Sequence, residues 1–91
     1  MEVRFYATLR PIVGGKLVVF DLPADTSVRT LLNSATDRFP ALGPLIWKAE
    51  GELGDYLKVF VDGREIRHLA MLETALPATA SIDIFPPVAG G

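Results

Sequence analysis

Val28-Arg29-Thr30-Leu31-Leu32-Asn33-Ser34-Ala35-Thr36-Asp37-Arg38-Phe39 is the stretch that decides the fold. Val28, Leu31, Leu32, Ala35 and Phe39 fall at i, i+3, i+4, i+7 and i+11, while Arg29, Asn33, Thr36 and Asp37 take the other side. That spacing predicts one amphipathic helix over about 27–39. Thr26 or Ser27 can cap it, and Pro40 stops it because the residue before a proline avoids helical angles. Toward the N-terminus the period changes to two. Val3, Phe5 and Ala7 alternate with Arg4, Tyr6 and Thr8, a half-buried strand. Leu9 to Gly15, with Pro11 and a glycine pair, reads as a loop, and Lys16 to Asp21 as the returning arm of an antiparallel hairpin. Toward the C-terminus, 41–55 is a loop with a short strand near Leu45-Ile46-Trp47. Leu57, Val59 and Val61 then alternate with Lys58, Phe60 and Asp62, and Asp62-Gly63 is a tight-turn signal leading into Arg64-Glu65-Ile66-Arg67. Ser81 to Phe85 makes a last strand. The order is hairpin, helix, hairpin, strand, tail, and the simplest packing is α+β, one helix folded across a mixed four- or five-stranded sheet.

With 91 residues there is room for one core and no second domain, so 1–85 is read as the folded body and 86–91 as a tail. Hydrophobic residues at 49% and charged ones at 22% exclude a disordered chain. There is no cysteine, hence no disulfide, thiolate cluster or cysteine nucleophile. No apolar run reaches the ~18 residues a bilayer needs, and the start lacks a basic region followed by an apolar run. These features predict a soluble, cytoplasmic protein that binds no membrane. A net charge of -2 without a basic stripe argues against direct nucleic-acid binding.

The tail, Pro86-Pro87-Val88-Ala89-Gly90-Gly91, is the chemically suggestive segment. Read as the C-terminus, two glycines present a slender carboxylate able to enter a narrow channel, and the prolines favour an extended approach. A frayed end is the bland reading of the same residues. Elsewhere the candidates are weak. His68 stands alone and suits a solvated or turn-capping role rather than a metal site. Glu50 and Glu52 form a carboxylate pair in a glycine-rich loop without a visible pocket. Gly14-Gly15-Lys16 lacks phosphate-loop spacing and belongs to hairpin geometry. Trp47 reads as an anchor for the long loop, and no Ser-His-Asp set can be assembled around one histidine.

Val3-Arg4-Phe5-Tyr6-Ala7-Thr8-Leu9-Arg10, the helix after Pro23, Val59-Phe60-Val61-Asp62-Gly63 and Phe85-Pro86-Pro87-Val88-Ala89-Gly90-Gly91 together resemble the ubiquitin-like sulfur carriers of the MoaD and ThiS family. The resemblance spans nearly the whole chain. The loop Gly51 to Tyr56 and the run Arg64 to Leu69 are more similar to CysO-type carriers and the small archaeal modifier proteins than to the shortest MoaD chains. It implies a ubiquitin-like β-grasp, with the first strand at the sheet's centre, the last beside it in parallel and the third on the far side of the last. By parity Tyr6, Phe60 and Phe85 then share the face pointing away from the helix, a candidate docking patch.

The resemblance implies that the protein is a substrate rather than an enzyme. It binds no cofactor itself; a ubiquitin-activating-type adenylating enzyme, using ATP and magnesium, adenylates the Gly91 carboxylate, and a sulfur donor converts it to a thiocarboxylate. Gly90 permits entry, and Pro86, Pro87, Val88 and Ala89 hold the approach extended. The acceptor is a synthase subunit or another protein, and molybdopterin, thiamin, cysteine, thiolated tRNA and lysine tagging all stay open. Two departures from the family pattern are visible: Pro77-Ala78-Thr79-Ala80-Ser81 replaces an acidic turn, which puts charge pairing there in doubt, and Asp62-Gly63 stands where Asn-Gly is frequent. The competing classes are a β-grasp module that only binds through its aromatic face, and an enzyme using Glu50 and Glu52.

Overall fold

Alternation of apolar and polar residues does form a strand at the N-terminus, β1 (Glu2–Phe5), with Val3 and Phe5 buried and Glu2 and Arg4 exposed. The computed structural model describes residues 1–87. The strand is shorter than the period of two predicts, because Ala7 takes a φ of 51° and starts a 3-10 turn, Ala7–Leu9. The expected loop then holds a short helix, α1 (Arg10–Val13), with Pro11 in its first turn and Gly14 in left-handed geometry after it. The returning arm, β2, is only Leu17–Val19, antiparallel to β1.

A two-stranded ladder that the sequence did not reveal, β3 (Thr26–Ser27) with a partner further along the chain, precedes the main helix, α2 (Val28–Arg38). Of the two possible caps Ser27 is the one used: its hydroxyl accepts the Thr30 N–H at 3.2 Å. Thr26 is buried, and its hydroxyl donates to the Pro23 carbonyl. At the other end Arg38 donates to the Val19 carbonyl at 3.0 Å and lies over the rings of Phe20 and Phe39, tying the helix to the β2 edge.

In the middle region Leu45 and Ile46 belong to a short helix, α3 (Gly43–Ile46), not to a strand. The strand β4 starts at Trp47 and runs to Ala49, pairing with β5 (Glu52–Leu53) in its own small hairpin. Gly54 follows, with its N–H on the Ile46 carbonyl at 2.7 Å, and a Cβ there would sit 3.3 Å from that same oxygen. Close backbone approach explains the glycine. Next come β6 (Lys58–Val61) and β7 (Arg64–Glu65), joined by Asp62 and Gly63 at φ of 49° and 84°, the left-handed pair a type I′ turn requires. The Asp62 carboxylate also accepts the Ser81 N–H at 2.9 Å, an anchoring role that suits aspartate at this turn. The second arm ends sooner than predicted, since Ile66–His68 form a 3-10 turn whose Arg67 N–H is held by the Glu65 side chain. A further 3-10 turn, Met71–Glu73, leads to β8 (Ala75–Leu76), the partner of β3, and the chain closes with β9 (Ser81–Phe85).

The main sheet has five strands in the order β2-β1-β9-β6-β7. β9 runs parallel to β1 and antiparallel to β6. The middle place therefore belongs to the last strand, not the first, because β7 adds a strand beyond β6. Val3, Phe5, Val59, Ile82 and Ile84 turn inward against Val28, Leu31, Leu32 and Ala35 of α2, all of them fully buried. Each large side chain so covered contributes about 1.5–3 kcal/mol. Among the described residues no helix is long and apolar enough to cross a membrane.

Candidate functional site

Parity on three strands places three rings on the sheet face opposite α2, and the structure brings them into contact. Tyr6 follows β1 but keeps extended angles, φ -123° and ψ 155°, and its N–H continues the ladder to the Ile84 carbonyl at 3.2 Å. It thus lies beside Phe85, the rings stacked with centroids 4.1 Å apart and planes 14° from parallel. Phe60, from β6, meets Phe85 edge-on at 5.5 Å. Such pairs add about 0.5–1.5 kcal/mol beyond burial. All three are half-buried, so each ring covers its neighbours while leaving an outer surface to solvent.

Polar groups lock this arrangement. The Tyr6 hydroxyl donates to Asp83 Oδ1 at 2.6 Å, and that bond is the main reason the phenol holds its proton above the usual tyrosine range. Asp83 is the register partner of Arg4 in β1 and of Phe60 in β6, so it sits in the middle of the patch. Arg10, at the start of α1, donates through Nε to the Phe5 carbonyl at 3.0 Å and places its guanidinium 5.3 Å from the Tyr6 ring centre. Neither Asp83 nor Arg10 is singled out by sequence reasoning. The signal for Asp83 is its shared parity with Phe85; Arg10 offers none until the turn at Ala7 is known.

β9 ends at Phe85, which makes the patch the root of the tail. Pro86 is buried against the body, whereas the sequence reading placed it in the free approach; Pro87 is exposed. Val88, Ala89, Gly90 and Gly91 lie outside the described residues.

The other candidates do not converge. Glu50 and Glu52 are exposed on the β4–β5 hairpin, His68 is exposed in its 3-10 turn, and Trp47 packs against the core. On the same hairpin Lys48 pairs with Asp55 at 2.8 Å, which raises the ammonium's pKa and lowers the carboxyl's. In the Pro77 to Ser81 turn, which departs from the acidic turn of the family pattern, Ala80 N–H closes on the Pro77 carbonyl, and Arg4 donates to the Ser81 hydroxyl at 2.7 Å.

Residues 3–91 match the ThiS family. The chain belongs to this family. Over 92 residues it is 38% identical to small archaeal modifier protein 3 of Haloferax volcanii, covering 100% of this chain and 98% of that protein. The crystal structure of small archaeal modifier protein 1 (SAMP1) from Haloferax volcanii has a TM-score of 0.84 at 31% identity, over 99% of this chain and 97% of that one. A chain of the Amycolatopsis orientalis BexX/CysO complex has a TM-score of 0.80 at 25% identity, over 99% of this chain and 98% of its own length. The fold is the ubiquitin-like β-grasp, and the ThiS-family chain is of the sulfur-carrier and modifier type. Proteins of this type are substrates of activating enzymes, not catalysts.

Proposed function

We propose that the chain is a cytoplasmic sulfur carrier whose reacting group is the Gly91 carboxylate. The observation that carries this reading is the ThiS-family match running through residue 91, on a sheet whose last strand ends at Phe85, among the three rings. A carboxylate resists nucleophiles because its charge is delocalised and its leaving group would be oxide. A partner enzyme of the ubiquitin-activating type, supplying ATP and magnesium, removes that obstacle. One Gly91 oxygen attacks the α-phosphorus, pyrophosphate leaves, and the mixed anhydride with AMP now has a good leaving group. A sulfide-level donor attacks the carbonyl carbon, AMP departs, and a thiocarboxylate results. Gly90 lets the segment enter a narrow channel. Tyr6, Phe60 and Phe85 form the docking face on that enzyme.

Near full-length similarity to proteins named as modifiers favours a second outlet, in which the amine of an acceptor lysine attacks the same adenylate and AMP leaves. Both outlets share the first step. The purified cognate activating enzyme should therefore exchange labelled pyrophosphate into ATP only when the chain is present, and removal of Gly90 and Gly91 should abolish the exchange. Binding of the intact chain to that enzyme without any exchange would leave the chain as a binding module docking through its aromatic face, and exchange that survives the truncation would overturn Gly91 as the reacting group.

A further inference from the structure

We propose that the open edge of β2 docks an extended, apolar segment of a partner protein that carries a carboxylate at its ends. The inference does not depend on the reaction at Gly91. The two edges of the main sheet differ. At one end β7 is a charged pair, Arg64–Glu65, closed off by the 3-10 turn that follows it. At the other, β2 is Leu17-Val18-Val19, with Leu17 46% and Val19 60% exposed. Sheet edges of soluble proteins are ordinarily blunted by charge, proline or a covering element, and the three residues of β2 carry no charge and no proline.

The hydrogen-bond phase turns the backbone of this edge outward. Met1 and Phe20 exchange both of their backbone bonds, and the Phe5 N–H meets the Lys16 carbonyl. Lys16, Val18 and Phe20 therefore pair with the β1 side, whereas the N–H and C=O groups of Leu17 and Val19 point away from it. Among the described residues only the Val19 carbonyl finds a partner, Arg38 at 3.0 Å. That oxygen keeps a second lone pair, so an added strand can use all four groups. Its side chains then lie beside Leu17 and Val19 on the outer face, where apolar cross-strand neighbours are favoured.

Charge selects the occupant. Lys16 is exposed immediately before β2, and Arg38 is held at its far end; neither has a carboxylate of this chain within 4.0 Å among the described residues. The carboxylates of the region are engaged or face elsewhere: Glu2 is bridged to Arg4 at 3.6 Å, Asp37 lies on the side of α2 opposite its buried stripe, and Asp21 stands two residues beyond the strand. A second copy of the chain is a poor fit. The antiparallel twofold register that sets Leu17 against Val19 brings Lys16 of each copy up to Phe20 of the other, over whose ring Arg38 already lies at 5.4 Å, so like charges meet at both ends. A strand ending in aspartate or glutamate meets the same cations with opposite charge, which adds orientation as well as attraction. Because β1 separates this edge from β9, the segment leaves the three rings and the tail free.

Two probes test the proposal by amide NMR on the isotope-labelled chain: a blocked heptapeptide of alternating valine and threonine between two aspartates, and its counterpart with lysine at both ends. The aspartate peptide should shift the amides of 16–20 and Arg38 saturably and slow hydrogen exchange at the Leu17 and Val19 N–H groups about tenfold, as a new ladder requires. The lysine peptide should bind about fivefold more weakly at low salt, and the gap should close at high salt. Lys16→Glu, at a side chain without a hydrogen bond among the described residues, should cut that preference by about half with an unchanged melting temperature. Val19→Lys, a charge at an exposed edge position, should stay folded and lose binding of the aspartate peptide. Equal affinities for the two peptides, shifts centred on any other surface, or Val19→Lys binding like the parent overturn the proposal. Line broadening that follows chain concentration without peptide assigns the edge to a second copy and overturns it as well. None of these outcomes touches the pyrophosphate exchange that tests Gly91.

Discussion

Tyr6 carries a hydroxyl 2.6 Å from Asp83, and the bond has a measurable signature in pH. The folded-state pKa is raised from 10.0, first by that hydrogen bond, then by burial and the negative charge of Asp83. The folded form therefore holds the phenolic proton more tightly than the unfolded chain does. The stabilisation is fully present below pH 10 and is lost as pH climbs through the raised folded value. In a Tyr56→Phe background, which leaves Tyr6 as the only phenol of the two in the chain, an absorbance titration should give a midpoint above 10.0, and Asp83→Asn should bring it back down. A midpoint at or below 10.0 without Asp83→Asn would show that the bond does not hold in solution. At this scale the sequence located the rings, because parity is a property of neighbours two apart. It did not locate Arg10 or Asp83, whose roles depend on where a ring on another strand comes to lie.

Strand β1 divides its residues between two environments, and the division can be tested directly. Phe5 is wholly buried under α2, while Phe85 on β9 is half-buried on the opposite face. Phe5→Ala should cost about 3–5 kcal/mol in chemical denaturation, from lost transfer energy and the cavity left behind. Phe85→Asp should cost about 1 kcal/mol, the stacking with Tyr6 and Phe60, and remain folded. The reverse ranking would mean that the two faces of the sheet are assigned the wrong way round. The elements with strong periodicity, α2, β1, β6 and β9, were legible because several residues repeat one pattern. The small ones were not. The left-handed angles at Ala7, Asp25 and Met71 have no glycine to announce them. The β3–β8 ladder is also invisible locally, since two residues on each side carry no period and are paired by a contact about fifty positions away in sequence.

Over the whole molecule, one amphipathic helix, two hairpins and a last strand admit few packings, so a helix across a mixed sheet was within reach of pattern reasoning; the β-grasp topology came with the family resemblance, and the family match runs through residue 91. The middle position of β9 was harder to read, because it depends on the two-residue β7 beyond β6. That topology matters for function: a central strand anchored on both sides delivers the tail from a rigid base, with Pro86 seated against it. The rest follows from chemistry at a carboxylate that the fold itself need not catalyse. Intact-mass and fragment-ion spectrometry of the chain after incubation with its cognate activating enzyme, ATP, magnesium and a sulfide-level donor tests the central claim most directly. Replacement of one oxygen by sulfur should add about 16 Da, mapped to Gly91 and dependent on ATP, as displacement at an activated carbonyl requires. An unchanged mass beside an enzyme that demonstrably forms the adenylate, or a gain mapped to any other residue, would contradict the sulfur-carrier account.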